Sequence, residues 1–160
     1  MKVRLMHVTQ VETHDLLREA LERVVAFTMS QESDADPKRL YSELASAYFQ
    51  PNPMMRLWVG VDDNEKVVAH LIATIDNYYG GAFVTIHQCW KNQDIKDFTL
   101  EEKKHLVEIV KEFGRPFGCK DVRTFAIHEE VAKSLESYGF ARDGRVMLKI
   151  PIEEEVTEEN

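Results

Sequence analysis

The residue best suited to chemistry in this 160-residue chain is a histidine in the stretch Ala82 to Trp90. Unperturbed histidine titrates near neutral pH, so His87 is a candidate general base toward an amine. The alternative is a partly buried histidine that bonds a neighbouring backbone or hydroxyl group, and His70 shares this ambiguity. Strict strand alternation predicts one face with Thr85, His87 and Cys89, and an opposite face with Val84, Ile86, Gln88 and Trp90.

The remaining composition indicates no other catalytic or metal centre. No paired Cys/His spacing is typical of a metal site, so no metal is predicted. Cys89 and Cys119 lie beside apolar residues and are predicted to be reduced, packed thiols. The sequence has no basic stripe for nucleic acid and no apolar run near the roughly 20 residues that a membrane span needs.

The elements that must position His87 follow from hydrophobic patterning and turn signals. Alternation predicts strands at about 2–9, 56–62, 67–75 and 82–90, the last two joined by a hairpin turn at Gly80-Gly81. Amphipathic patterns predict helices after Thr13, Asp36 and Thr99. Residues 30–36 are predicted to form an acidic loop between the first two helices.

The resulting order of elements is β-α-α-β-β-β-α-β-α-β. It predicts an α/β (α+β) fold with a mixed sheet, in which an antiparallel meander precedes parallel strand–helix–strand units and helices cover both faces. Residues 1–152 are predicted to form one domain, and residues 153–160 form an acidic tail with five glutamates. The polar start does not resemble a signal peptide, so a cytoplasmic location is predicted.

The last unit, Asp121 to Ile150, carries a resemblance to a known family. A short amphipathic helix from about Glu129 ends on Gly139 and Phe140, a left-handed glycine followed by a hydrophobic contact. This unit resembles the C-terminal part of the GCN5-related N-acetyltransferase (GNAT) superfamily, whose order of elements agrees with most of the chain. The resemblance implies a GNAT-like fold, acetyl-CoA as the acyl donor and an amine as the acceptor.

The same resemblance locates the cofactor site, where the chain departs from the family pattern. GNAT enzymes bind the acetyl-CoA pyrophosphate on a glycine-rich loop before a helix. The matching segment, Lys91 to Phe98, contains no glycine and carries Asp94 and Asp97, which only Lys91 and Lys96 offset. Binding of acetyl-CoA is therefore predicted to be weak or absent.

The GNAT resemblance implies further site residues in this chain. The backbone of Ile86 and Gln88 would polarise the thioester, and His128 stands near the helix start where the family has an asparagine. The family's general-acid tyrosine is replaced by Leu135. Tyr138 is therefore the candidate general acid, displaced along the helix, with core packing as the alternative.

A narrower resemblance is to short GNAT-like proteins of tailed bacteriophages. It covers about 56–150 and rests on Phe117 to Val122, the Gly-Phe helix end and the finish Met147 to Ile150. It implies a viral origin, with a location in the host cytoplasm or the virion. Two functions remain open: an acyltransferase with His87 as base, and a non-catalytic protein that acts in assembly or regulation through a protein partner. The acidic residues of 30–36 favour a cationic partner or an amine acceptor.

Overall fold

The computed structural model describes residues 4–7, 10–32, 34–49, 52–78, 80–126 and 128–144. The predicted last strand, at 145–150, and the acidic tail lie outside these residues. A short 3-10 helix, Arg115–Phe117, follows the third α-helix. The elements in chain order are β1 (Arg4–His7), α1 (His14–Gln31), α2 (Pro37–Phe49), β2 (Met55–Val61), β3 (Val67–Tyr78), β4 (Gly81–Lys91), α3 (Leu100–Gly114), β5 (Val122–Thr124) and α4 (Glu129–Glu136).

The strands form one mixed sheet in the order β1-β2-β3-β4-β5. The first four strands pair antiparallel with their neighbours, and β5 pairs parallel to β4 through the crossover helix α3. Gly80 has φ +74° in the turn between β3 and β4, as a glycine hairpin turn requires. The predicted meander followed by a parallel strand–helix–strand unit is confirmed.

Two hydrophobic cores lie on opposite faces of the sheet, as the prediction of helices on both faces requires. The first core joins α1 and α2 to β2 and β3 around Leu21, Val24, Leu57 and Val59. The second joins α3 to β3 and β4, where Phe113 meets Trp58 edge-on with ring centroids 5.6 Å apart. We call these the α1 face and the α3 face of the sheet.

The predicted helix starts are confirmed by their capping hydrogen bonds. The Thr13 hydroxyl accepts from the backbone N–H of Leu16 at 3.3 Å, and Asp36 Oδ1 accepts from the N–H of Lys38 at 2.9 Å. The predicted loop at 30–36 is wrong at its start. Helix α1 continues to Gln31, because its end is closed by the Glu32 N–H bond to the Thr28 carbonyl.

The end of α4 has the predicted glycine stop. The N–H of Gly139 donates to the Glu136 carbonyl at 2.9 Å, and the N–H of Phe140 donates to the Leu135 carbonyl at 3.3 Å. With Gly139 at φ +95°, this pair of bonds is a Schellman motif with the glycine at its left-handed position. Phe140 packs against the core of the α3 face but is only half-buried, so it is a weaker anchor than a buried phenylalanine.

Candidate functional site

The central feature of β4 is a bulge at His87. Ile86 pairs with Ala73 of β3 and Gln88 pairs with Ile72, so two neighbouring residues of β3 face three residues of β4. His87 is the extra residue, and the insertion of one residue reverses the in–out alternation beyond it.

The reversal corrects the predicted faces of β4. Gln88 and Trp90, predicted to lie opposite His87, reach the α1 face instead: the Gln88 amide bonds Thr28 of α1, and the Trp90 ring stacks on His70. Cys89 faces the other way, toward α3. It is exposed rather than packed as predicted, although the atoms around its sulfur raise the pKa of the thiol by desolvation.

The parallel pairing of β4 with β5 ends where the bulge begins. Its last pair is Ile86 with Thr124, and the Thr124 hydroxyl also donates to the Ile86 carbonyl at 3.2 Å. Strand β4 nevertheless continues to Lys91. The stretch from His87 to Lys91 is therefore without a β5 partner in the described part of the chain.

His87 itself is exposed and bonded to one side chain. Its Nε2 lies 2.8 Å from the hydroxyl of Thr74 on β3, and that hydroxyl donates to Asp76 Oδ1 at 3.1 Å. A general base needs an accessible ring, and the alternative role needs a neighbouring hydroxyl as hydrogen-bond partner. The His87 ring is exposed and also has the Thr74 hydroxyl as a partner.

His70, the second ambiguous histidine, is a core residue. Only 2% of its surface is exposed, and the rings of Phe27 and Trp90 lie 5.4 and 5.7 Å from it. Burial lowers the pKa of His70 to about 4, which the nearby Gln88 amide opposes weakly. No hydrogen bond of ordinary geometry reaches either ring nitrogen from the described residues. His70 is therefore neutral at pH 7 and unavailable to substrate.

Gln88 is fixed against helix α1. Its Nε2 donates to the Thr28 hydroxyl at 2.6 Å, and that hydroxyl donates to the Val24 carbonyl at 2.9 Å. The Gln88 Oε1 is buried and has no hydrogen-bond partner among the described residues. The Gln88 side chain thus anchors the strand beside the bulge, while only its backbone can face a ligand between β4 and β5.

In the loop between β4 and α3, residues 92–99, polar and aromatic side chains contact Lys91 at the end of β4. Lys91 Nζ donates to Asp97 Oδ1 at 2.7 Å and to the Ile95 carbonyl at 3.2 Å, and it lies 5.4 Å from the centroid of the Phe98 ring. The hydrogen bond from Lys91 lowers the pKa of Asp97. Lys91 therefore neutralises its own loop, and Lys96 is exposed at its tip.

The first turn of α3 also forms hydrogen bonds within the chain. Thr99 Oγ1 accepts from the N–H of Glu102 at 3.2 Å, while Glu102 Oε2 accepts from the N–H of Thr99 at 2.7 Å. This is the predicted capping box, and it uses two amides that an anion at the helix start would need.

The other predicted site residues lie apart from His87. Tyr138 is half-buried beside α3, with Lys103 Nζ 5.1 Å from its ring centroid. Burial raises the pKa of Tyr138, and Cys89 and Asp97 add to the rise. Tyr138 thus belongs to the α3 face and His87 to the α1 face. His128 is an exposed N-cap of α4 whose ring makes no capping hydrogen bond within the described residues.

Sequence reasoning missed Thr74 and Asp76. They lie two residues apart on β3 and so share a face, a pattern that the sequence does show. Their partner could not be identified, because the sequence does not give the register of β3 against β4. Among the described residues, no group of three or more acidic, histidine or cysteine side chains is placed to hold a metal ion. No described helix is long and apolar enough to cross a membrane.

Comparison with solved structures gives the fold. Glucosamine-6-phosphate N-acetyltransferase from Arabidopsis thaliana is similar at a TM-score of 0.67 and 12% identity, over 94% of this chain and 99% of that chain. An aminoglycoside 6'-N-acetyltransferase from Acinetobacter baumannii is similar at a TM-score of 0.67 and 16% identity, over 95% of this chain and all of that chain.

A third similar structure was solved with a CoA-based ligand. It is AAC(6')-Iy in complex with the bisubstrate analogue CoA-S-monomethyl-acetylneamine, at a TM-score of 0.67 and 11% identity, over 95% of this chain and 99% of that chain. No protein-family model and no curated protein matches the sequence. At these identities the likeness establishes the fold, and the predicted GNAT-like fold is confirmed.

Proposed function

We propose that this chain is an acetyltransferase-like protein that binds acetyl-CoA weakly or not at all and acts chiefly through contacts with a protein partner. The observation that carries the proposal is the ion pair of Lys91 with Asp97 at 2.7 Å. This bond pairs Lys91, a cation at the base of the loop, with an anion from the loop itself. The capping box of Thr99 and Glu102 occupies the neighbouring amides.

The partner of such a protein is proposed to be cationic. Glu32 and Asp34 are exposed between α1 and α2, and Asp36 caps α2. A basic protein surface or an amine would be attracted to this segment. A role in assembly or regulation of a bacteriophage, in the host cytoplasm or the virion, agrees with the sequence resemblance at 117–122, 139–140 and 147–150 and rests on that resemblance alone.

Calorimetric titration with acetyl-CoA tests the proposal. The expected dissociation constant is no tighter than about 1 mM, or about −4 kcal/mol. Acetyl-pantetheine, which lacks the pyrophosphate, is the matched control ligand, and it should bind as weakly as acetyl-CoA. A micromolar isotherm for acetyl-CoA that acetyl-pantetheine does not reproduce would show that the loop does accept a pyrophosphate.

A second candidate function is acyl transfer to an amine. The observation in its favour is the exposed His87 ring, which is held by Thr74 at the point where β5 leaves β4. In this candidate His87 is the base, the backbone of Ile86 and Gln88 faces the acyl group, and Tyr138 is the acid. Acyl transfer to a panel of polyamines that His87→Gln abolishes would establish it. Equal background rates for the two proteins would exclude it.

A further inference from the structure

Thr74, Asp76 and His87 form a chain of hydrogen bonds across β3 and β4. The Thr74 hydroxyl is the middle member, 2.8 Å from His87 Nε2 and 3.1 Å from Asp76 Oδ1. Thr74 is opposite Thr85 in the strand register, and Asp76 is opposite Phe83, two pairs nearer the hairpin. His87 follows Thr85 by two residues and lies on the same face, and as the extra residue of the bulge it has no opposite residue of its own.

The direction of these bonds follows from counting protons. A hydroxyl has one proton to donate, and a carboxylate can only accept. The Thr74 proton therefore goes to Asp76, and the Thr74 oxygen must accept from His87. A neutral His87 ring consequently carries its proton on Nε2 and has a lone pair on Nδ1.

We propose that Thr74 and Asp76 are positioning residues for His87, which hold its ring with the proton on Nε2 so that Nδ1 can accept a proton from an amine. The inference rests on the second candidate function, acyl transfer. When an amine N–H loses its proton to Nδ1, the ring becomes an imidazolium and Nε2 still donates to Thr74.

His70 provides the internal comparison. Its ring nitrogens have no hydrogen-bond partner among the described residues, and the ring is buried between Phe27 and Trp90. His87 differs in both respects, because it is exposed and bonded to Thr74. Of the two histidines on this face, only His87 is both oriented and accessible.

Long-range proton–nitrogen NMR of protein labelled with ¹⁵N-histidine tests the inference at about pH 8, above the ordinary pKa of histidine. Wild-type His87 should show the Nε2–H tautomer. Asp76→Ala releases the Thr74 proton, which can then donate to Nε2, so the His87 population should shift toward Nδ1–H. The His70 signals of the same samples report whether the fold is intact. An Nδ1–H tautomer in the wild type, or no change in Asp76→Ala, would overturn the inference.

Thr74→Val removes the hydroxyl, and Thr74→Ser is its conservative control. Thr74→Ser keeps the hydroxyl and should keep the wild-type tautomer, so it remains informative even where Thr74→Val does not fold. If acyl transfer is detected, Asp76→Ala should lower kcat by roughly tenfold or more with little change in KM. An Nε2–H tautomer that responds to Asp76→Ala, in a protein without acyl transfer, would retain the positioning network and remove the second candidate function.

Discussion

The bulge at His87 lies in β4, and the loop at 92–99 follows the end of that strand. The two regions differ in whether their polar groups are exposed or bonded within the chain. At the bulge, the His87 ring is exposed and oriented by a single hydroxyl, that of Thr74. In the loop, Lys91 is bonded to Asp97 and Ile95, and the helix start is capped by its own residues. The bulge therefore presents an exposed imidazole ring, whereas the cation and the helix start of the loop are engaged within the chain.

The largest effect is expected beneath the bulge, at His70. The folded-state pKa of His70 is about 4, below its ordinary value of 6.5, so the unfolded chain binds more protons between these values. The stabilising contribution is complete above pH 6.5 and is lost as the pH falls toward 4, by about 3 kcal/mol in total. Urea denaturation of wild type and His70→Leu across this range isolates the effect, because the other titrating groups are common to both. Parallel pH profiles for the two proteins would show that His70 is not buried as described.

Opening the loop should make it more like a pyrophosphate site. Asp97→Gly frees Lys91, removes a negative charge and introduces a glycine, so we expect the affinity for acetyl-CoA to rise at least roughly tenfold. Asp63→Gly makes the same change in the β2–β3 turn and should leave the affinity unchanged. NMR titrations of both variants with acetyl-CoA measure the two affinities. Equal affinities of Asp97→Gly and Asp63→Gly for acetyl-CoA would mean that the Lys91–Asp97 ion pair does not weaken its binding.

The end of α4 determines where Tyr138 lies relative to both regions. Gly139 has φ +95°, a conformation that a Cβ disfavours, so Gly139→Ala should cost on the order of 1 kcal/mol. Gly139→Asn should cost less, because asparagine tolerates the left-handed region. Chemical denaturation measures both. An alanine variant as stable as the wild type would refute the Schellman motif at this position.

The smallest effect is expected at the Tyr138 hydroxyl. Tyr138 lies on the α3 face, and its hydroxyl makes no hydrogen bond to the described residues, so Tyr138→Phe should change the unfolding free energy by less than about 0.5 kcal/mol. The contrasting variant is His87→Gln, which removes the candidate base. A Tyr138→Phe protein that folds normally but loses a measurable acyl transfer would identify this tyrosine as the acid.

The sequence predicted the features that depend on local chemistry. The Thr99–Glu102 capping box, the Asp36 helix start and the Gly139 stop each involve residues within a few positions of one another, and all are confirmed. The absence of glycine and the acidic residues of 92–99 predict a poor pyrophosphate loop, and this stays a prediction.

The features that sequence reasoning missed depend on register. Alternation counts residues, and the bulge adds one, so the faces of Gln88, Cys89 and Trp90 were predicted wrongly. The bond from Thr74 to His87 joins residues thirteen apart, and finding it requires the register of β3 against β4, which the sequence does not give. The two extra residues at the end of α1 reflect a closing hydrogen bond from Glu32 that polar composition does not reveal.

The contrast between loop and bulge is tested most directly by amide NMR during a titration with acetyl-CoA. This measurement follows the amides of 92–99 and those of His87 and Gln88 in the same spectra. We predict that the loop amides keep their chemical shifts up to about 1 mM ligand, because Lys91 and the capped helix start remain bonded to their own loop. Saturable shifts of the loop amides at micromolar acetyl-CoA would contradict the account.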